Sequence, residues 1–293
     1  MRETMGVLFG TGRPVIAGWV ALLLVAEAVS PLRKRTRPVA GRWAVNAVMT
    51  ALVLATGTLV VRAAALAAVA WAGGNRFGIS YWLPETGWAR PVAGFLLMDL
   101  TFYWWHRANH ELPLLWRFHN VHHVDPDLDV STSFRFHLAE VLYSAVFRVA
   151  QAAVIGIAPV TFAAYELVFT CGTAFHHSNT RLPVAFERVL NRVFVTPRMH
   201  GIHHSGYREE TGSNYSVVFS WWDLLHGTLR LNVPHARVET GVPGYLAAED
   251  NSLPGLLAAP FIRQKDYWLH PDGTRRETRE RAPAGTKRTT MME

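Results

Sequence analysis

The chain has 293 residues, half of them hydrophobic and only 17% charged, against about 25% in an ordinary soluble domain, which excludes a disordered protein and points to a membrane. A single cysteine, Cys171, excludes a disulfide framework, a cysteine-ligated zinc site and an iron–sulfur cluster, each of which needs several thiolates. The net charge of +7 sits in short runs beside apolar stretches rather than on one basic face, so a membrane surface and no nucleic acid is the expected partner.

Residues 14–30 form the first apolar run, closed by Pro31 and by Arg33, Lys34, Arg35, Arg37 and Arg42. About 20 helical residues match a hydrocarbon core of roughly 30 Å. The positive charges resist export, so the run reads as an anchor ending in the cytoplasm rather than a signal peptide cleaved near Ala26-Glu27-Ala28. Gly10-Thr11-Gly12 lacks the third glycine of a dinucleotide fingerprint and is expected to be a loop. The second run, 44–71, is interrupted only by Arg62, which can snorkel. The third, 92–105, follows Pro91, a good first helical residue, and is short for a span unless its helix continues through the histidines beyond. The fourth, 141–175, is too long for one crossing and breaks at Gly156-Ile157-Ala158-Pro159, which predicts a helical hairpin.

These runs predict an all-α integral membrane protein with about four to five membrane helices or hairpin arms. Counting crossings puts the segments after the first, third and last arms in one compartment, the cytoplasm. The opposite loop, 73–90, carries only Arg76, Arg90 and Glu85, as the positive-inside rule requires. Trp71, Trp82, Trp88, Trp104 and Trp105 fall near helix ends, where an aromatic belt would sit. Residues 183–195 place Phe186, Val189, Leu190 and Val193 on one helical face, as an interfacial helix would. The tail 272–293 has no apolar periodicity and is expected to be disordered. The organisation expected is an anchor, 1–90, a histidine-rich catalytic region, 91–235, that includes the hairpin, and a C-terminal extension, 236–293.

Eleven of the fourteen histidines lie between His106 and His204. His106 and His110 stand four apart, one turn on the same helical face. His119, His122 and His123 are spaced i, i+3, i+4, and His200, His203 and His204 repeat that spacing; each triplet is expected to aim three nitrogens at one point. Eight imidazoles exceed the positions of one ion, which predicts two ions sharing a site. Imidazole suits zinc, copper, iron and nickel. Zinc hydrolysis is disfavoured, because His-Glu-x-x-His is absent and the ligands are too many for a three-ligand open site. Redox chemistry on two irons fits better.

These three clusters resemble the histidine boxes of the fatty acid hydroxylase/sterol desaturase superfamily, integral-membrane non-haem diiron enzymes. The likeness extends from Asp99 and Tyr103-Trp104-Trp105-His106-Arg107, through Trp116, residues 131–137 and Phe175-His176-His177-Ser178-Asn179, to Thr196-Pro197, Asn214-Tyr215, Trp222-Asp223-Leu224 and Gly227-Thr228. It covers roughly residues 90 to 230. The pattern is nearer to bacterial sterol-desaturase-like proteins and alkylglycerol monooxygenase than to the sphingolipid 2-hydroxylases. The resemblance implies two further ligands, His137 and His177. His177 is preferred to His176, since neighbours on a helix point about 100° apart. Glu140 and Asp99 are candidates to hold a ligand's second N–H. His226, His235 and His270 are read as structural.

The function implied is O2-dependent hydroxylation or desaturation of a membrane lipid, using two iron ions (zinc being a possible substitute in purified protein) and electrons from an external ferredoxin or cytochrome. The location expected is a bacterial cytoplasmic membrane, with the boxes facing the cytoplasm. Two other classes combine spans with histidines. A metal transporter would place its ligands at mid-membrane on facing helices. A haem-binding membrane protein would need only one or two axial histidines per haem.

Overall fold

In a computed structural model, which describes residues 2–279, the chain is helical, with no strand among the described residues. Helix α1 (Arg2–Val29) carries Pro14 within it and runs straight through Gly10-Thr11-Gly12, so the expected loop there is corrected. Those residues lie at the head of an apolar sequence that a bilayer would hold helical, since no water is present to satisfy an opened backbone. Helices α2 (Val39–Thr56) and α3 (Ala63–Gly74) join through a π-wound stretch at Gly57–Arg62. Then α4 (Ala89–Glu111) continues six residues past Trp105 and takes His106 and His110 into its last two turns. It is followed by α5 (Pro113–His123), with proline at its first position, and by the pair α6 (Leu138–Ile155) and α7 (Pro159–His177). Among the described residues, three stretches are long and apolar enough to cross a membrane: Gly12–Val29, Val39–Trp82 and Leu138–Ile155. This is a membrane protein.

The hairpin turns at Gly156, whose φ of +66° makes a left-handed cap that only glycine adopts freely. Gly78 (φ +112°) lies so close that a Cβ on it would overlap the Gly156 backbone, and the Ser80 hydroxyl donates to the Gly156 carbonyl at 2.5 Å. The loop after α3 therefore caps the hairpin at one end of the bundle. At the opposite end, Leu32 N–H donates to Asn179 O at 2.7 Å, which joins the exit of α1 to the exit of α7. The basic run predicted to fix orientation also builds this end. Arg42 bridges Asp125 and Asp129, Arg135 pairs with Asp125 at 3.1 Å, and Asn46 donates to Asp125 at 3.0 Å, pinning the segment after α5 to the start of α2.

Of three buried apolar clusters among the described residues, a small one joins Leu23 of α1 to Val130 and Ala174, and the two larger lie toward opposite ends. Ala65, Val69, Met98, Ile155, Phe162 and Tyr165 fill the bundle toward the hairpin turn, and Met49, Trp116, Val121, Val242, Tyr245 and Leu256 fill the other end. Outward, Leu22, Val25, Leu54, Leu59 and Val146 are exposed, the lipid-facing surface a spanning bundle needs. Trp71, Trp82, Trp88 and Trp104 are exposed near helix ends, while Trp105 instead stacks on Phe147 at 4.5 Å inside the bundle. The interfacial stretch is a shorter helix than expected, α8 (Val184–Leu190). Phe186 and Val189 point out, whereas Glu187 is fully buried against Arg198 of α9 (Pro197–His203). Residues 272–279 are also ordered, not disordered as expected, because Arg208 and Glu209 N–H groups donate to the carbonyls of Arg276 and Glu277 at 2.9 and 3.0 Å. The remainder of that expected tail, 280–293, lies outside the described residues.

Candidate metal centre

The ends of α4, α5, α7 and α9 converge, and nine of the ten expected histidines come together in two adjoining groups. His106, His110, His119, His123 and His203 form one; His122, His177, His200 and His204 form the other, and within each the ring nitrogens lie within 4.8 Å of one another. The boxes do not act as units, which corrects the expectation that each triplet aims at one point. His119 and His123 go to the first group and His122 to the second; His200 and His204 go to the second and His203 to the first. Helix geometry explains this. Residues i and i+4 diverge by about 40° around the axis, whereas i+3 lies on the other side of i by about 60°, so one box faces two centres.

Backbone acceptors fix the rings. A carbonyl can only accept, so His106 Nδ1–H donates to Tyr215 O at 2.7 Å, His203 Nδ1–H to Ser213 O at 2.7 Å and His177 Nδ1–H to Thr173 O at 2.8 Å. His119 Nδ1 reaches the Glu140 carboxylate at 2.8 Å. Each of these rings is left with its Nε2 as the free donor, the tautomer a metal ligand needs. The Nε2 atoms of His119 and His203 are buried without a partner, as is that of His110, and both ring nitrogens of His123. In the second group Nε2 of His177 lies 3.0 Å from those of His122 and His200, and His200 and His204 are 3.1 Å apart. With Nδ1–H of His177 donating to Thr173, its Nε2 lone pair faces two further ring nitrogens in a buried space, an arrangement that fits a cation between them. Burial also lowers the pKa of His122, His123, His200, His203 and His204, which keeps them neutral and able to ligate.

His137 joins neither group. It caps α6, accepting from Ala139 N–H at 3.1 Å, and its Nε2 meets Leu257 O at 3.2 Å, so both ring nitrogens are occupied. His176 also joins neither group, although its ring lies 4.0 Å from that of His200 and its Nδ1 is buried without a partner. Asp99 holds no histidine, contrary to expectation: its carboxylate accepts from Phe219 N–H at 3.0 Å and Trp222 Nε1–H at 2.7 Å. That bond and the Asp223 carboxylate, which accepts from the Tyr215 and Ser216 amides at 2.8 and 2.9 Å, position the loop whose carbonyls orient His106 and His203. The resemblance marked Asn214-Tyr215 and Trp222-Asp223 in this loop but gave them no role, because backbone acceptors leave no residue-type signature. Arg33 was read only as a topogenic charge, yet it donates to the carbonyls of Leu128, Ser178 and Pro197 behind the second group and packs where a side chain on Gly201 would stand. His226 stacks on Tyr103 at 4.7 Å, His235 is buried away from both groups, and His270 pairs with Asp272 at 2.9 Å.

The family model described as fatty acid hydroxylase matches residues 91–228. An ornithine lipid hydroxylase of Rhizobium tropici is 29% identical over 59% of this chain and 50% of its own length. Human alkylglycerol monooxygenase is 30% identical over 51% of this chain and 33% of its own, and human cholesterol 25-hydroxylase 27% identical over 46% and 49%. The chain thus spans half or less of these relatives. No solved structure matches it significantly.

Proposed function

The chain belongs, over residues 91–228, to the fatty acid hydroxylase family, and from that premise we propose that it is a membrane-bound lipid oxygenase whose two histidine groups each hold one iron ion. The observation that carries this reading is the pair of adjoining, all-nitrogen donor sets, five and four histidines, with orphaned buried nitrogens facing inward. An all-imidazole set suits iron in a redox role, and the absence of thiolate excludes a sulfur-bound cluster. Two bound irons would supply the one-electron steps that O2 needs before it attacks a C–H bond. For hydroxylation the balance is substrate RH plus O2, two electrons and two protons, giving ROH and water; the electrons come from an external ferredoxin or cytochrome.

The protein's own part is placement. His106, His177 and His203 hold their Nδ1 protons on backbone carbonyls and His119 faces Glu140, so each presents Nε2 in one orientation. Phe136 stacks on His122 at 4.3 Å, and eight of the nine rings are buried, which excludes water from the reacting region. The relatives' names, acting on an ornithine lipid, an alkylglycerol and cholesterol, support a lipid as substrate. The groups lie at the end of the bundle that gathers the arginine-rich segments, which supports a cytoplasmic-facing centre in a bacterial cytoplasmic membrane. Lipid extracts from a host with and without the protein test the reading. A new lipid differing by one oxygen, or by two hydrogens, should appear with the native chain and be missing with His122→Ala; identical lipid profiles under iron-replete, aerobic growth would contradict it.

A further inference from the structure

A cavity of about 1030 Å³ reaches His110, the one histidine among the nine that is not fully buried. At its throat Trp116 lies 5.0 Å from the His110 ring and 5.3 Å from His123. The facing wall comes from residues beyond the family match. Trp268 stacks on Trp116 at 6.2 Å with the planes 17° apart, and Tyr267 meets it edge-on at 5.9 Å. This wall is anchored: Arg279 forks onto the buried Glu210 carboxylate at 2.8 and 3.1 Å, and the Arg276 and Glu277 carbonyls accept from α10 (Arg208–Thr211). Residues 264–277 are therefore a built part of the site rather than a tail laid across it.

The mouth carries both signs. Arg208 pairs there with Glu277 at 3.2 Å, Glu209 with Arg230 at 3.5 Å, and Arg117 donates to the Ile262 carbonyl at 2.7 Å; the Arg208–Glu277 pair is solvent-exposed, the kind worth at most about 1 kcal/mol and readily exchanged. Beside the charges lies an apolar skirt: Leu114 on the cavity is 67% exposed, and Phe261 and Ile262, next to Arg117, are 67% and 52% exposed. A mixed-charge mouth edged by exposed hydrophobic residues suits the boundary between head groups and acyl chains. The cavity volume stands at the upper end of the usual range for small-molecule sites, roughly 300–1,000 Å³. That accommodates a head group and the first part of one chain, while the remaining tail stays in the bilayer along the skirt.

We propose that this cavity seats the polar end of the lipid substrate, that the accepted head group carries both a cation and an anion, and that residues 264–277 select it. The proposal rests on the reading of the histidine groups as an oxygenase centre. A head group of one net sign that displaces one half of the exposed Arg208–Glu277 pair leaves the other half without a partner, whereas a zwitterion replaces both. Seating the head group here also brings carbons near it, rather than the far end of the chain, to His110.

The test uses the full chain, iron-loaded and in nanodiscs, with lysophosphatidylcholine carrying a diazirine next to its head group as the probe. Photolabelling followed by peptide mapping should mark peptides containing Leu114 or Tyr267 and Trp268. Unlabelled lysophosphatidylcholine should compete about tenfold better than lysophosphatidylglycerol or a monoacylglycerol. Glu209→Lys with Glu277→Lys, both at the exposed mouth, should turn the preference to lysophosphatidylglycerol at unchanged iron content. Label confined to the outer faces of α1, α2 and α6, or equal competition by the three lipids, would overturn the proposal. Iron measured in the same samples separates the two readings: lost iron with labelling intact contradicts the oxygenase centre, and intact iron with displaced labelling contradicts the head-group site.

Discussion

Glu140 and His137 stand three residues apart at the start of α6 and have opposite relations to the metal groups. Glu140 accepts from a ring that faces the first group, and His137 spends both nitrogens on backbone. Glu140→Gln should therefore weaken metal binding about 10- to 100-fold, as loss of a carboxylate behind a ligating histidine does. His137→Ala should leave metal content unchanged; equal loss in both variants, read by equilibrium dialysis, would contradict this division. A second consequence follows from burial, which lowers the pKa of His122, His123, His200, His203 and His204. In the unfolded chain these rings protonate near 6.5. Below that pH the unfolded state binds more protons than the folded one, so the stability of chelator-stripped protein must fall on acidification. Denaturation midpoints should drop more steeply than the about 1.4 kcal/mol per pH unit that one histidine gives, and a flat profile between pH 6.5 and 5 would contradict it. The spacing of the boxes made nine clustered histidines legible in the sequence. Their division into two groups was not, because it depends on where four helix ends meet, and neither was the tautomer control by Thr173, Ser213 and Tyr215, which acts through carbonyls.

Helix punctuation was legible at the level of elements where glycine and proline occur together: the break read at Gly156-Ile157-Ala158-Pro159 falls where α6 ends and α7 begins, while Pro91, expected to open the third helix, is the third residue of α4. Apolar run length alone ended the third run at Trp105, and the alternative that its helix continues through the histidines is the one observed, since the polar face beyond is buried by other helices rather than by water. The hairpin also hides an ion pair, Arg148 to Glu166 at 3.6 Å, with Gln151 tying Arg148 to the Met98 carbonyl on α4. Removing one partner, as in Arg148→Leu, should cost about 1–2 kcal/mol, the range for polar contacts between membrane helices. The contact of Gly78 with Gly156 gives a sharper contrast. Gly78→Ala combines a φ of +112° with backbone overlap and should destabilise by at least about 1–3 kcal/mol. Gly57→Ala, at helical φ with open space around it, should be neutral or stabilising by up to about 1 kcal/mol. Equal unfolding midpoints for the two variants in one detergent would show that the loop after α3 does not cap the hairpin.

For the whole molecule, the grouping at one end of the segments after the first, third and last arms was readable from the order of apolar runs and basic segments. The ends of α1, α4 and α7 and the starts of α2 and α6 meet at the histidine end, and residues 75–88 meet the hairpin turn at the other. Thr86 and Ala236 are exposed at opposite ends. With Cys171→Ala as background, Thr86→Cys should react with an impermeant thiol reagent in intact cells and Ala236→Cys only after lysis; the reverse pattern would place the centre outside. The C-terminal wall was not legible, since a segment rich in arginine, threonine and glutamate has no periodicity until α10 gives it backbone partners. The chemistry proposed for the molecule depends on two groups of nitrogen ligands lying side by side. The most direct test is Mössbauer spectroscopy, with protein-normalised iron analysis, of the full chain made with 57Fe. Two irons per chain in two doublets of equal area, one for the five-histidine group and one for the four, are expected. One iron per folded chain, or a single doublet that survives His119→Ala and His122→Ala alike, would contradict the account.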